Sequence, residues 1–160
     1  MKLSDEKLDD YMGIIAKETL FKGLELEINV VTSSMYPTIK AQSLVKSISK
    51  KKRKIKAGDI IVFRQIYGQS LMVHRCLFII TTLKKRIYIT KADSSFLFDQ
   101  PVSEERVYGI VELNKLNLFD FFFRRVQYLL LPINILFTIV TRSFFLFRSI
   151  TKAQFKNTKS

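Results

Sequence analysis

This chain of 160 residues has one cysteine and one histidine, and each scarcity excludes some chemistry. A single thiol, Cys76, closes no intrachain disulfide, so it says nothing about an oxidising compartment. One histidine and one cysteine fall short of the three or more protein ligands that a zinc centre takes, and no metal or cofactor is expected. Acid is scarce too. Lys and Arg number 27 against 14 Asp and Glu, which leaves a formal net charge of +13. A balance this basic for one domain's worth of chain implies an anionic partner, either a lipid surface or a nucleic acid. A long apolar run is missing as well. Val126 to Thr141 is uncharged and mostly apolar over 16 residues, short of the roughly 20 that span a bilayer as a helix.

What is present divides into three parts. Residues 1–23 read as an N-terminal helix, because Ser4 suits an N-cap, Asp5 and Glu6 suit the first turn, and Gly23 suits a stop. Leu8, Met12 and Ile15 fall on one face of it. Lys2, Asp5, Glu6, Lys7, Asp9 and Asp10 crowd its start, unlike the short basic stretch and apolar core of a secretory leader. Neither a cleaved leader nor an N-terminal span is expected.

Residues 24–117 read as a small, mostly antiparallel β-domain. Leu26 to Val30 alternates apolar and polar residues, and Ile60–Phe63, Leu71–Ile80, Arg86–Thr90 and Val107–Leu113 are rich in branched and aromatic side chains. Between them, Lys46 to Lys56 holds seven basic residues and no acid, which predicts a solvated loop or hairpin.

Residues 118–160 form a basic segment with no acid after Asp120. Projected at about 100° per residue, Asp120, Arg124, Gln127, Asn134, Thr138, Arg142, Arg148, Lys152 and Lys156 share about a third of the circumference. Phe122, Leu129, Leu130, Ile133, Phe137, Val140 and Phe147 occupy the remainder, and Pro132 predicts a kink. A cationic stripe opposite an apolar face describes a membrane-associating helix in the headgroup region. Packing on the β-domain and a tilted span are the alternatives.

Three segments carry groups capable of catalysis. Ser34 lies in Thr32-Ser33-Ser34-Met35-Tyr36-Pro37-Thr38. A serine becomes a nucleophile when a base takes its proton and donors stabilise the oxyanion, although serines close to a proline commonly serve only as turn residues. His74, in Leu71-Met72-Val73-His74-Arg75-Cys76-Leu77, is the side chain suited to act as a general base near neutrality. Strand alternation puts it on one face with Cys76, and Val73, Arg75 and Leu77 on the other. Asp93 and Asp99 follow a strand in what reads as a loop. Either carboxylate would orient His74, and spacing does not choose between them.

In order, these pieces resemble the signal peptidase I family over about Val31 to Val111. Ser34-Met35-Tyr36-Pro37-Thr38 looks like its nucleophile motif, and Gly58-Asp59-Ile60-Ile61-Val62-Phe63 like the strand that follows. Val73-His74-Arg75 looks like the general-base strand of the endoplasmic-reticulum and archaeal branch, and Thr90-Lys91-Ala92-Asp93-Ser94-Ser95 like the later box, with Asp99 at that branch's aspartate spacing. Ala92 stands where that box has glycine, which predicts a remodelled loop. The resemblance implies a β-rich serine endopeptidase of the signal peptidase/LexA-like type that cuts a signal or leader peptide from a precursor. It implies Ser34 as nucleophile, His74 as base, the Thr32 hydroxyl and Ser34 N–H as oxyanion hole, and Met35 on the substrate-facing surface. A LexA-like self-cleaving peptidase and an inactive basic relative that binds lipid or nucleic acid are the rival readings. Nucleic acid is the less expected partner, because no aromatic platform interleaves the lysines of residues 46–56.

Overall fold

The computed structural model describes residues 5–65, 71–83, 85–113 and 125–157, with side chains described from Tyr11 onward and, in the last helix, as far as Phe144. Asp120, Phe122 and Arg124 therefore lie outside the described residues, and the side chains of Leu8, Phe147, Arg148, Lys152 and Lys156 are not described.

Helix α1 (Asp5–Phe21) ends where Gly23 takes φ +84°. There Leu24 N–H bonds Thr19 C=O at 3.2 Å and Gly23 N–H bonds Leu20 C=O at 3.1 Å. This paired closure needs a residue that tolerates positive φ. The apolar face suggested by Met12 and Ile15 is not the one that packs on the sheet. Gly13, Ala16 and Leu20 are buried, the last two clustering with Tyr108, while Met12 and Ile15 are exposed. Small residues let the helix approach the sheet closely, and close approach outweighs the periodicity of the larger ones.

Seven antiparallel strands make one curled sheet: β1 (Glu25–Val30), β2 (Ser43–Ser49), β3 (Ile60–Arg64), β4 (Leu71–Thr81), β5 (Arg86–Lys91), β6 (Val102–Ser103) and β7 (Val107–Glu112). Their order is β1-β2-β7-β3-β4-β5-β6. Central β3 is buried on both faces. Ile60 and Val62 join one core with Ile28, Met35, Ile39 and Val73, while Ile61 and Phe63 join another with Cys76, Tyr88, Val107 and Ile110. Period-2 alternation thus feeds two cores from one strand. Gly109 sits where β7 meets β2, and a Cβ there would lie 2.6 Å from Ile48 O and 2.7 Å from Ser47 Oγ.

The basic run is only in part the expected loop or hairpin: residues 50–56 form a turn and loop, with Lys51 to Lys54 exposed. Lys46 to Ser49 belongs to β2, with Ser47, Ile48 and Ser49 buried. Lys46 and Lys52 both grip Glu25 (2.7 and 2.9 Å), which holds that carboxyl down at about 2. Arg53 bonds Asp59, Lys50 donates to Glu104 C=O, and Lys51 Nζ donates to Phe21 C=O at 2.5 Å. Pairing with β1 and β7 organises cations that repulsion alone would leave solvated.

After the sheet, residues 125–129 are helical, Leu130 interrupts the helix, and helix α2 (Leu131–Asn157) follows with Pro132 in its first turn. That position needs no intrahelical N–H, so the proline is tolerated. Among the described residues no helix is long and apolar enough to cross a membrane.

Candidate functional site

The Ser34 turn is a single 3-10 turn, Ser33–Met35, between β1 and β2, and it packs against β4, the strand that carries His74. The Tyr36–Pro37 peptide after it is cis. Tyr36 N–H bonds Ser33 C=O and Ile39 N–H bonds Met35 C=O, which closes the turn. Met35 is thereby aimed inward. It is fully buried in the core with Ile28, Ile39 and Val73, so it does not line an open substrate surface as expected. Ser34 is partly exposed, and its Oγ accepts a hydrogen bond from the Thr32 hydroxyl at 3.0 Å.

His74 is buried on β4, opposite Ile61 of β3, with its ring edge-on to Phe63 at 6.1 Å between centroids. Its Nδ1 lies 2.7 Å from Asp99 Oδ2. The same carboxylate oxygen accepts from the Thr90 hydroxyl at 2.7 Å, and Asp99 N–H bonds Thr90 C=O at 2.9 Å. Thr90 therefore fixes both the backbone and the side chain of Asp99. A carboxylate only accepts, so in a neutral ring this pairing favours the proton on Nδ1 and leaves the lone pair on Nε2.

Asp93, the other candidate partner of His74, is engaged elsewhere. Its oxygens take Arg75 Nε and Nη2 at 2.8 Å each and the Thr38 hydroxyl at 2.6 Å. Arg75 also donates to Gly58 C=O at 3.0 Å. Both charged side chains are 1% exposed. The alternation of β4 explains the division, because His74 and Arg75 leave opposite faces of the strand and each takes its own carboxylate.

The loop between the two aspartates binds the site together. Ser94 donates from its N–H (3.0 Å) and its hydroxyl (2.9 Å) to Ser34 C=O, so the loop that presents Asp99 also clamps the backbone of Ser34. Lys91, buried beneath the loop, donates to Ala92 C=O at 3.1 Å and to Ser95 C=O. Its burial pushes the ammonium pKa down, against the opposing pull of Asp93 and Asp99. Ala92 needs no positive φ here, since among the described non-glycine residues only Gln42 adopts one. Thr90, Lys91 and Ser94 were not singled out from the sequence. Their signal was present in the Thr-Lys-Ala-Asp-Ser-Ser box, but which of its hydroxyls faces the site is set by the strand pairing that follows.

Among the described residues, Ser34 Oγ keeps its hydrogen bond with Thr32 and none joins it to the His74 ring. The turn's packing on β4 and the Ser94 clamp bring Ser34 to the strand that carries His74, although Met35 of the turn packs with Val73, on the strand face opposite His74. A groove lined by Phe63, Gln65, Met72, Asp99 and Val102 opens beside the His74–Asp99 pair. Among the described residues no three His, Cys, Asp or Glu side chains converge on one point.

The C-terminal helix covers this loop. Gln127 donates to Asp93 C=O at 3.2 Å, Phe98 N–H donates to the Thr138 hydroxyl at 3.4 Å, and Arg142 donates to Asp99 C=O at 3.5 Å. Comparison with known protein families, curated proteins and solved structures returns no match.

Proposed function

We propose that the chain is a serine endopeptidase of the signal peptidase I kind, acting on a signal or leader peptide at the junction with its precursor. The observation that carries this reading is the 2.7 Å pairing of His74 Nδ1 with Asp99 Oδ2 on the strand against which the Ser34 turn packs. In this mechanism Ser34 Oγ attacks the scissile carbonyl carbon and His74 Nε2 takes the hydroxyl proton. Asp99 stabilises the imidazolium without taking the proton itself. The carbonyl oxygen, now negative, meets the Thr32 hydroxyl and the Ser34 N–H. Such donors are typically worth about 100- to 1000-fold in rate each. Collapse of the tetrahedral intermediate passes the proton from His74 to the leaving amine, and water deprotonated by His74 then frees the acyl group from Ser34.

Catalysis requires the Ser34 hydroxyl to exchange Thr32 for His74. Hydrogen bonds of this kind often tighten only when substrate is bound. The signal peptidase/LexA-like fold assignment belongs to the same proposal, supported by the order of the motifs along the curled sheet.

The test is cleavage of a precursor peptide bearing an Ala-x-Ala junction, in lipid vesicles, by wild type, Ser34→Ala and His74→Ala. Loss of cleavage in both variants is the expected result. Cleavage by Ser34→Ala at the wild-type rate would remove the serine mechanism.

A further inference from the structure

Helix α2 and the turn before it are built inside out. Gln127, Asn134 and Thr138, the polar stripe, are buried against the β-domain. Among the described residues, both polar atoms of the Asn134 amide lack a hydrogen-bond partner, as does Gln127 Oε1. On the opposite side Leu129, Ile133, Leu136, Val140 and Phe144 are all exposed, between 56% and 78%. Their spacing of four, three, four and four residues aligns Ile133 to Phe144 along α2, with Leu129 on the helical turn before it. The row does not stop at the helix. The Phe137 ring packs against that of Phe96 at 6.2 Å, and Phe96 and Leu97 are themselves exposed on the loop between Asp93 and Asp99. Five bulky apolar side chains in a row on a water-facing helix form a patch that soluble surfaces rarely carry without a partner.

The charge of the helix identifies the occupant. Leu131–Asn157 contains Arg142, Arg148, Lys152 and Lys156 and no Asp or Glu. Pairing two copies through this segment would bring together two stretches that each carry four cations and no acid. An anionic bilayer instead offers acyl chains to the apolar row and phosphates to the cations.

We propose that the outer face of α2, together with Phe96 and Leu97, is a lipid-docking surface that lies in the headgroup–acyl boundary of an anionic bilayer. This inverts the arrangement expected from the sequence only in part. The apolar side still faces lipid, but the near half of the polar stripe faces the loop that holds Asp99 rather than water. Docking therefore sets the His74–Asp99 side of the molecule against the membrane surface. The surface does not depend on Ser34 being a nucleophile.

The test is flotation of the 160-residue chain with vesicles of phosphatidylcholine alone and with about 30 mol% phosphatidylglycerol. Wild type and Ser34→Ala float equally with the anionic vesicles. Leu136→Glu/Val140→Glu binds at least about tenfold more weakly with an unchanged melting curve. Should that pair perturb folding, Leu129→Glu at the most exposed position of the row gives the same direction. Arg148→Ser/Lys152→Ser loses about 25-fold on anionic vesicles, about fivefold per charge, and little on neutral ones. Wild type that stays unbound with anionic vesicles overturns the proposal, as does equal flotation of the folded Glu variants. A lipid-independent dimer dissolved by Leu136→Glu/Val140→Glu, without flotation, assigns the face to a second copy and also overturns it. Because flotation needs no cleavage, failure here leaves the peptidase reading standing, and the reverse holds too.

Discussion

Asp99 Oδ2 stands 2.7 Å from His74 Nδ1 and, at the same distance, accepts the Thr90 hydroxyl. One oxygen thus serves two donors, and the second donor decides where the first can point. Asp99→Asn is expected to keep the fold while lowering kcat by about 10⁴-fold, because the amide favours the wrong imidazole tautomer. Thr90→Val removes one positioning hydrogen bond and should cost about 5- to 10-fold. Steady-state kinetics alongside thermal melts separate these effects from simple unfolding.

Asp93 should behave in the opposite way. Breaking its buried pair with Arg75 leaves a charge without its partner, at a cost of about 3–5 kcal/mol. Asp93→Asn and Arg75→Met are both expected to melt earlier. The double variant Arg75→Met/Asp93→Leu should recover much of that loss, since two apolar groups leave no orphaned charge. Chemical denaturation of wild type and the three variants measures the loss and the recovery. If Asp93→Asn melted as wild type does but lost cleavage, the division of labour between the two aspartates would fall.

Gly109 offers a test of the sheet. A methyl group there has nowhere to go between Ile48 O and Ser47 Oγ. Gly109→Ala is expected to destabilise the domain by about 1–3 kcal/mol through overpacking. Urea midpoints measure it.

Cys76 is buried in the core, where desolvation, with a smaller contribution from Asp59, pushes its thiol up to about 12 from 9.0. At pH 8 the folded protein should resist iodoacetamide and react once denatured. The linkage has a definite sign. The folded state holds the thiol proton more tightly than the unfolded chain, so stability is unaffected below about pH 9 and declines as pH rises from about 9 towards 12. Cys76→Ser should flatten that alkaline decline in melts taken across the range, whatever its effect at neutral pH.

Local pattern made much of this legible. Strands β1, β3, β4, β5 and β7 follow from alternation and branched side chains, and the closure of α1 at Gly23 follows from glycine's tolerance of positive φ. Strand β2 was hidden because its serines and lysines look like a loop until β1 and β7 flank it, burying Ser47 and Ser49. The packing face of α1 is hidden for a related reason. Periodicity finds an apolar stripe but not which stripe has room to pack, and Gly13 and Ala16 provide that room. Within the site, the opposite facing of His74 and Arg75 was readable from strand alternation, whereas the choice of Asp99 over Asp93 was not. That choice depends on the bridge between Lys91 and Phe98, which folds the loop back so that Asp99 returns beside Thr90. The inward aim of Met35 depends likewise on a turn geometry that no periodicity encodes.

The seam between helix and loop has a thermal and dielectric side. Gln127, Thr138 and Arg142 hold the backbone of Asp93, Phe98 and Asp99 by hydrogen bonds of 3.2–3.5 Å, long enough for water to compete with each. Where water is thinned out, the same contacts strengthen, because their alternative partner has gone. The stiffness of the loop that carries Asp99 is then a property of the medium as much as of the chain, and the same polypeptide would be slack in dilute buffer and taut against a greasy wall.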